Sequence, residues 1–213
     1  MACRHKCIGL ADFIWLSEIH DKVVSYIMSR IILASASPRR AELLAQIGVK
    51  FDVCVADIDE TPMINEDPYK YVLRMAEAKA DAVAKKVKNR IILASDTSVV
   101  IEGQILGKPE NKQHALDMLG RLSGKTHQVL TSLCVVGKAN FSAVSVTDVT
   151  FRTLTMAEMV QYYDSGEPEG KAGAYAIQGF AATFIERIDG SYSAVMGLPL
   201  YEVGQALSAE GVL

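Results

Sequence analysis

The sequence has no uninterrupted apolar run long enough to cross a membrane. A transmembrane helix needs roughly 18 or more consecutive apolar residues. The most apolar N-terminal stretch, residues 8–28, is interrupted by charges at Asp12, Glu18, Asp21 and Lys22. It also lacks the continuous hydrophobic segment and the small-residue cleavage site of a signal peptide. We therefore expect no membrane contact.

Several catalytic and cofactor-binding motifs are absent as well. The sequence has no GxSxG, HExxH, GxGxxG or GxxxxGK[ST] pattern. Serine hydrolases, zinc proteases, dinucleotide-binding folds and Walker-type NTPases therefore receive no direct support. The histidines show no metal-ligand spacing; they are His5, His20, His114 and His127.

The four cysteines form no disulfide or zinc framework. Cys3 and Cys7 lack a second pair that would complete a zinc site. Cys54 and Cys134 lie within apolar runs, which is typical of buried free thiols. This usage of cysteine indicates a reducing compartment, and we expect the cytoplasm.

No excess of one charge is present. The 213 residues include 22 basic and 25 acidic side chains, for a net charge of −3. A broad nucleic-acid surface needs clustered Lys and Arg, so we do not expect one. A small phosphate ligand remains compatible with this charge, because a few basic residues in one cleft are enough to bind it.

The pattern of strands and helices starts near Met28. We expect residues 1–27 to be an extension of uncertain role and residues 28–213 to form the functional domain. Helices are predicted over 38–47, 67–86, 112–122, 155–163 and 199–207, and strands over 30–35, 51–56, 91–95, 126–136, 143–151 and 183–188, with 99–102 in a hairpin through Gly103. Partly alternating and partly hairpin-like elements predict an α/β fold with a mixed sheet flanked by helices.

The segment Ser35–Arg40 joins a predicted strand to a predicted helix. Ser37 suits the N-cap and Pro38 the first helical position, but Arg39 and Arg40 oppose the helix dipole in the first turn. An anionic ligand would relieve this conflict, since free backbone N–H groups, hydroxyl groups and guanidinium groups all bind phosphate oxygens. The alternative is an ordinary capped helix with solvated arginines.

Two acidic segments follow predicted strands. Asp96 comes after the strand predicted at 91–95, and the group Asp57–Glu60 comes after the strand predicted at 51–56. Ligands gather at the carboxyl ends of strands in α/β sheets, where carboxylates bind Mg²⁺ or Mn²⁺ or activate water. The alternatives are a turn carboxylate bonded to its own backbone and a solvated loop.

Three lysines complete the candidate set. Lys108 lies between Gly107 and Pro109, which would hold it on a stiff turn, whereas Lys79 and Lys171 lie in a predicted helix and a Gly-rich loop. Each lysine taken alone fits a surface charge equally well. Together, these candidates indicate a site that binds phosphate and a divalent cation and that contains a carboxylate acting as a base.

Seven segments together resemble the Maf family of nucleotide pyrophosphatases, also called septum formation proteins. They occur in the family's order from about residue 30 to the C-terminus. The segments are LASASPRRAELL (33–44), DIDE (57–60), AEAKA (76–80), ASDTSV (94–99), LGKP (106–109), LSGKTHQVLT (122–131) and KAGAYAIQG (171–179). The fold implied by this resemblance is an elongated mixed sheet flanked by helices, similar to that of ITPases, with two lobes and a central cleft.

The resemblance also implies roles for individual residues. Asp96 would be the catalytic proton acceptor. Arg39, Thr97 and Gln178 would tune substrate choice; Ser35, Arg40, Lys79 and Lys108 would bind phosphate; and Glu60 with Asp96 would bind a divalent cation, Mg²⁺ or Mn²⁺. Family analogy alone suggests a homodimer.

The segment that contains Gln178 resembles the branch of the family that hydrolyses dTTP and UTP. A glutamine amide both donates and accepts hydrogen bonds, so it matches the O4 and N3–H edge of uracil or thymine. We therefore expect a pyrophosphatase for dTTP and UTP, or for modified pyrimidine nucleotides. The alternatives are the same reaction on 7-methyl-GTP, and a nucleotide-binding regulator of cell division with little hydrolysis.

Overall fold

The computed structural model describes residues 31–213. The predicted extension at residues 1–27 lies outside this range and stays a prediction. Within residues 31–213, no helix is long and apolar enough to cross a membrane.

A mixed seven-stranded sheet forms the centre of the protein. Its strands are β1 (Ile31–Leu33), β2 (Phe51–Val53), β3 (Ile92–Ile101), β4 (Gln104–Leu106), β5 (Thr126–Val136), β6 (Phe141–Phe151) and β7 (Ile185–Asp189). The spatial order is β2-β1-β3-β5-β6-β7, and β4 pairs with β3 outside this order. The pairs of β1 with β2 and β3 are parallel, whereas the other pairs are antiparallel. The predicted α/β class with a mixed sheet is confirmed.

Within residues 31–213, six α-helices cover the sheet. They are α1 (Pro38–Gln46), α2 (Pro68–Ala84), α3 (Lys112–Leu122), α4 (Met156–Asp164), α5 (Tyr192–Met196) and α6 (Leu200–Ala209), and two short 3-10 helices lie at Ala172–Ala174 and Phe180–Phe184. Helix α2 packs on one face through small residues such as Ala76 and Ala80, which are fully buried. The other helices with extensive apolar contacts pack on the opposite face.

On that opposite face the core divides into two apolar clusters. One cluster joins α1 and α6 to the sheet at Leu93, and the other joins α3 and α4 to it at Val99. Side chains alternate between faces along a strand, so Ser95 and Thr97 lie on this same face between the clusters. Thr131 of β5 is the register partner of Thr97. Polar side chains of β3 and β5 therefore lie between these two clusters, which both also contact Met196.

One local prediction was wrong. Residues 91–95 and 99–102 belong to a single strand, because β5 pairs continuously with Ile92–Val100 and leaves no turn at Asp96. Ser37 is confirmed as the N-cap residue of α1, although its side chain makes no capping hydrogen bond. Helix α5 was not predicted, because its five residues are too few for a hydrophobic period.

His127, at the start of β5, is buried against the loop that follows α4. Its Nε2 atom lies 2.8 Å from the Tyr175 hydroxyl, and its Nδ1 atom has no hydrogen-bond partner among the described residues. Burial lowers the pKa of His127 from its ordinary value of 6.5 to about 4. The neutral imidazole is the form that this environment accepts, because a charge there would be desolvated.

His127 should make folding sensitive to acid. The unfolded chain binds a proton at this residue below about pH 6.5, whereas the folded chain binds one only near pH 4. The contribution of neutral His127 to the free energy of unfolding is therefore complete above pH 6.5 and decreases as the pH falls toward 4. We expect a loss of about 2–3 kcal/mol across this window. In His127→Gln the loss should shrink by about that amount, as measured by urea unfolding at pH 7 and pH 4.5. His114→Gln, near the surface of α3, is the control, and equal pH dependence in wild type and His127→Gln would refute the assignment.

Candidate active site

The candidate site lies at a gap in the sheet along one edge of β3. On this edge β1 pairs with β3 at Ile92 and Leu93, and β4 pairs with it at Val99–Ile101. Among the described residues, no strand covers Ser95–Ser98 between these two pairings. The chain leaving β1 approaches the gap from one end, and the chain leaving β4 approaches it from the other, because β4 runs antiparallel to β3.

An ammonium group bridges two carboxylates at this gap. The Nζ atom of Lys79 on α2 lies 2.7 Å from an oxygen of Asp96 and 2.7 Å from an oxygen of Glu60. The side chains of Lys79 and Asp96 are only 10% and 12% exposed, whereas that of Glu60 is 47% exposed. Asp96 faces α2 because it shares a side of β3 with Ala94. The charged triad therefore joins three separate elements of the fold.

Arg40 enters the gap from the first turn of α1. Its guanidinium donates to the Gly197 carbonyl at 2.8 Å, to the Ser35 hydroxyl at 3.1 Å and to the Thr97 hydroxyl at 3.3 Å. All three acceptors are neutral, so within residues 31–213 the guanidinium of Arg40 is oriented without a direct ion pair. Such a cation is available to an anionic ligand.

The charges at the gap influence one another. Burial lowers the pKa of Arg40, although the charges of Asp96 and Glu60 oppose this shift. Partial burial raises the pKa of Glu60, but the hydrogen bond and charge of Lys79, with the charges of Lys108 and Arg40, lower it by more. The net shift of Glu60 is downward, which favours its ionised form at neutral pH.

Lys108 brings a more exposed cation to the same place. It lies two residues after the end of β4, and its Nζ atom is 4.0 Å from an oxygen of Glu60 with the side chain 66% exposed. The Gly107 carbonyl accepts a hydrogen bond of 3.0 Å from the Gly173 backbone, which ties this turn to the Gly-rich loop. Lys108 thus lies at the solvent side of the gap.

The structure brings most of the predicted site residues together. The contacts above join Ser35, Arg40, Glu60, Lys79, Asp96, Thr97 and Lys108. Two predicted specificity residues lie outside this network. Arg39 pairs with Glu42 at 2.8 Å on the surface of α1, and Gln178 is half-buried in the Gly-rich loop. Of the acidic group Asp57–Glu60, only Glu60 reaches the gap.

Two residues of the network were not predicted. Gly197, just before α6, accepts hydrogen bonds from both Arg40 and Ser95 through its carbonyl oxygen. Its φ of 120° is in the region that favours glycine. Thr131 donates to the Ala194 carbonyl at 2.7 Å and lies 3.1 Å from the Thr97 hydroxyl. Local sequence patterns give little indication that a glycine is required by its backbone conformation or that a threonine within a strand is buried.

The loop that carries Gln178 is anchored by hydrogen bonds to one half-buried carboxylate. The Glu167 carboxylate accepts hydrogen bonds from the Phe180 and Ala181 backbone at 2.7 and 3.2 Å and from the Tyr162 hydroxyl at 2.9 Å. A side chain at Gly179 would collide with this carboxylate. The position of the loop is therefore fixed by α4 and by the residues that follow it.

Comparison with known proteins places the chain in a family. A family model described as Maf-like protein matches residues 30–210. The chain belongs to the Maf family. This match covers every residue of the network at the gap, and the resemblance predicted from the sequence motifs is confirmed.

Several Maf relatives have a named activity. A dTTP/UTP pyrophosphatase of Colwellia psychrerythraea is 52% identical, with coverage of 85% of this chain and 89% of the relative. A dTTP/UTP pyrophosphatase of Acinetobacter baylyi is 51% identical over 82% of this chain and 96% of the relative. A third dTTP/UTP pyrophosphatase, from Escherichia coli O157:H7, is 48% identical over 85% of this chain and 93% of the relative.

Thr97 should orient Arg40 for ligand binding. Replacing it by Val removes the hydroxyl that Arg40 and Thr131 both contact, while the β-branched shape is kept. We expect the KM for a nucleoside triphosphate to rise about tenfold or more, because a hydrogen bond to a charged group contributes about 1.5–3 kcal/mol, with a smaller change in kcat. Thr97→Ser keeps the hydroxyl and should stay within about twofold of wild type. An unchanged KM in Thr97→Val would argue against this role.

Proposed function

We propose that this Maf-family chain hydrolyses nucleoside triphosphates, chiefly dTTP and UTP, to the monophosphate and pyrophosphate. The observation that carries the proposal is the meeting of Asp96 and Glu60 with Arg40, Lys79 and Lys108 at one gap in the sheet. Cations surrounding an acid match a reaction that needs polyphosphate binding and a proton acceptor. The names of relatives about half identical over most of their length give the substrate class.

Asp96 is the proposed proton acceptor. It is fixed within β3 rather than on a mobile turn, and its carboxylate is held by Lys79. It would orient and deprotonate the water that attacks the α-phosphorus. Phosphoryl transfer depends mainly on such positioning and on charge neutralisation.

The start of α1 supports phosphate binding beside this acid. Ser37 leaves the first helical N–H groups without a side-chain cap, and the first turn contains no acidic residue. The N-terminus of a helix attracts anions through these groups and through the helix dipole. Ser35 precedes this turn and Arg40 lies within it, so both would bind phosphate oxygens, with Lys108 at the outer end.

The carboxylates of Glu60 and Asp96 fit a divalent cation. Both contact the same Lys79 nitrogen at 2.7 Å, so their oxygens lie no more than twice that distance apart. Hard carboxylate oxygens suit Mg²⁺ or Mn²⁺. No group of three or more His, Cys, Asp or Glu side chains placed to bind a metal occurs within residues 31–213, so substrate phosphates would complete the coordination. The cation would supply charge stabilisation for the departing pyrophosphate.

The free thiols of Cys54 and Cys134 support a cytoplasmic location for this reaction.

Asp96→Asn should nearly abolish hydrolysis. Losing a positioned base typically costs about 10²–10⁴-fold in rate, and the isosteric amide should leave the fold intact. We would measure pyrophosphate release from dTTP and UTP with Mg²⁺, and check folding by circular dichroism. Asp189→Asn, at an exposed residue of β7, is the matched control. Near-normal turnover in Asp96→Asn would remove Asp96 from the role, and a wild type that binds dTTP without releasing pyrophosphate would favour the non-hydrolysing regulator.

Gln178 is proposed to recognise the pyrimidine base. In Gln178→Ala we expect kcat/KM for dTTP and UTP to fall about tenfold, the cost of one or two unmade hydrogen bonds. Activity on CTP, GTP and 7-methyl-GTP should change less. Gln161→Ala, on the exposed face of α4, controls for loss of a glutamine. Equal losses for all triphosphates would show that Gln178 has no part in base selection.

A further inference from the structure

The position of Lys79 has a consequence for how a cation enters the site. Its ammonium contacts Glu60 and Asp96 at 2.7 Å each, and both carboxylates belong to the proposed cation site. An ammonium and a divalent cation cannot occupy the space between these two carboxylates at once, because two cations at contact distance repel each other. A metal ion placed there would therefore require Lys79 to move or to lose its contacts.

The charges at the gap also oppose a free metal ion. Two carboxylates face three cations, Lys79, Lys108 and Arg40. A divalent cation that arrives alone would raise an already positive local charge and would find only two protein carboxylates. Mg²⁺ and Mn²⁺ take about six ligands, so such a site is incomplete without further oxygen donors.

A triphosphate removes both obstacles. It brings about four negative charges and several oxygen ligands. The long flexible stem of a lysine allows its ammonium to turn toward phosphate oxygens while the helix stays in place. The carboxylates that Lys79 releases would then be free to coordinate the cation.

We propose that Lys79 occupies, in the nucleotide-free protein, the position between Glu60 and Asp96 that the divalent cation takes, so that the cation binds only together with the triphosphate. This inference rests on the proposed function for the identity of the nucleotide. Lys79 then has two alternating partners: the carboxylates before substrate arrives, and phosphate oxygens afterwards. It prevents the acid pair from collecting metal ions in the absence of substrate.

Mn²⁺ binding tests the inference without using turnover. Water-proton relaxation enhancement detects Mn²⁺ on the slowly tumbling protein and distinguishes it from Mn²⁺ on free nucleotide. Wild type should show little enhancement with Mn²⁺ alone, and a large one when the α,β-methylene analogue of dTTP is added, since this analogue cannot be cleaved. Equally tight Mn²⁺ binding with and without the analogue would overturn the proposal.

Substitution of Lys79 gives the second test. Lys79→Met removes the competing charge, so Mn²⁺ without nucleotide should bind at least about tenfold more tightly than to wild type. Lys108→Met also removes one positive charge but leaves the position between the carboxylates filled, so its affinity should change less than about threefold. Equal affinities in Lys79→Met and wild type would refute the competition.

Two further observations keep the outcome interpretable. If Lys79→Met does not fold, as judged by circular dichroism, Lys79→Gln supplies a neutral polar substitute, and the wild-type comparison decides independently. The Mn²⁺ titration of Lys79→Met needs no hydrolysis. A gain of Mn²⁺ affinity in Lys79→Met, together with a wild type that fails to cleave dTTP, would therefore support the competition while rejecting the proposed function.

Discussion

The interruption of pairing along one edge of β3 is the constraint on which the site depends. Strand β3 keeps continuous hydrogen bonds with β5 on its other edge, so the backbone at Asp96 and Thr97 stays extended and rigid. The open edge leaves room for side chains from four other parts of the chain. A continuous neighbouring strand would fill this space with backbone, and Arg40, Glu60 and Lys108 would have no route to Asp96.

Alternation along β3 then separates the site into two parts. Asp96 points toward α2, where Lys79 and Glu60 meet it, whereas Thr97 points to the opposite face, where Arg40 and Thr131 meet it. Adjacent residues of one strand thus place an acid and a hydroxyl on opposite sides of the sheet. Both faces of the sheet can be reached from the open edge, so a polyphosphate lying there would contact both groups.

The sequence predicted the elements better than their relative positions. Motifs such as Ser35–Arg40 were recognised because turn and helix signals are local. The residue types at 96–98, Asp-Thr-Ser, favour turns and therefore predict a turn there. The pairing with β5 shows instead that this segment is extended. Arg39 and Arg40 lie about 100° apart around a helix, so only one faces the gap. The hydrogen-bond partner of Arg40, the Gly197 carbonyl, is 157 residues away in the sequence, and no local sequence pattern predicts that contact.

The buried lysine and the half-buried arginine of the site differ in how their charge is balanced. Lys79 is neutralised by two carboxylates, and breaking either contact would leave a charge in a poorly solvated place. Among the described residues, Arg40 donates to hydroxyl and carbonyl oxygens, which fix its direction, while Asp96 and Glu60 act on its charge only from a distance. A guanidinium binds phosphate bidentately through its planar fork, and an ammonium acts as a mobile point charge. Arg40 is therefore suited to fixed recognition of an anion, whereas Lys79 is suited to exchanging partners during binding.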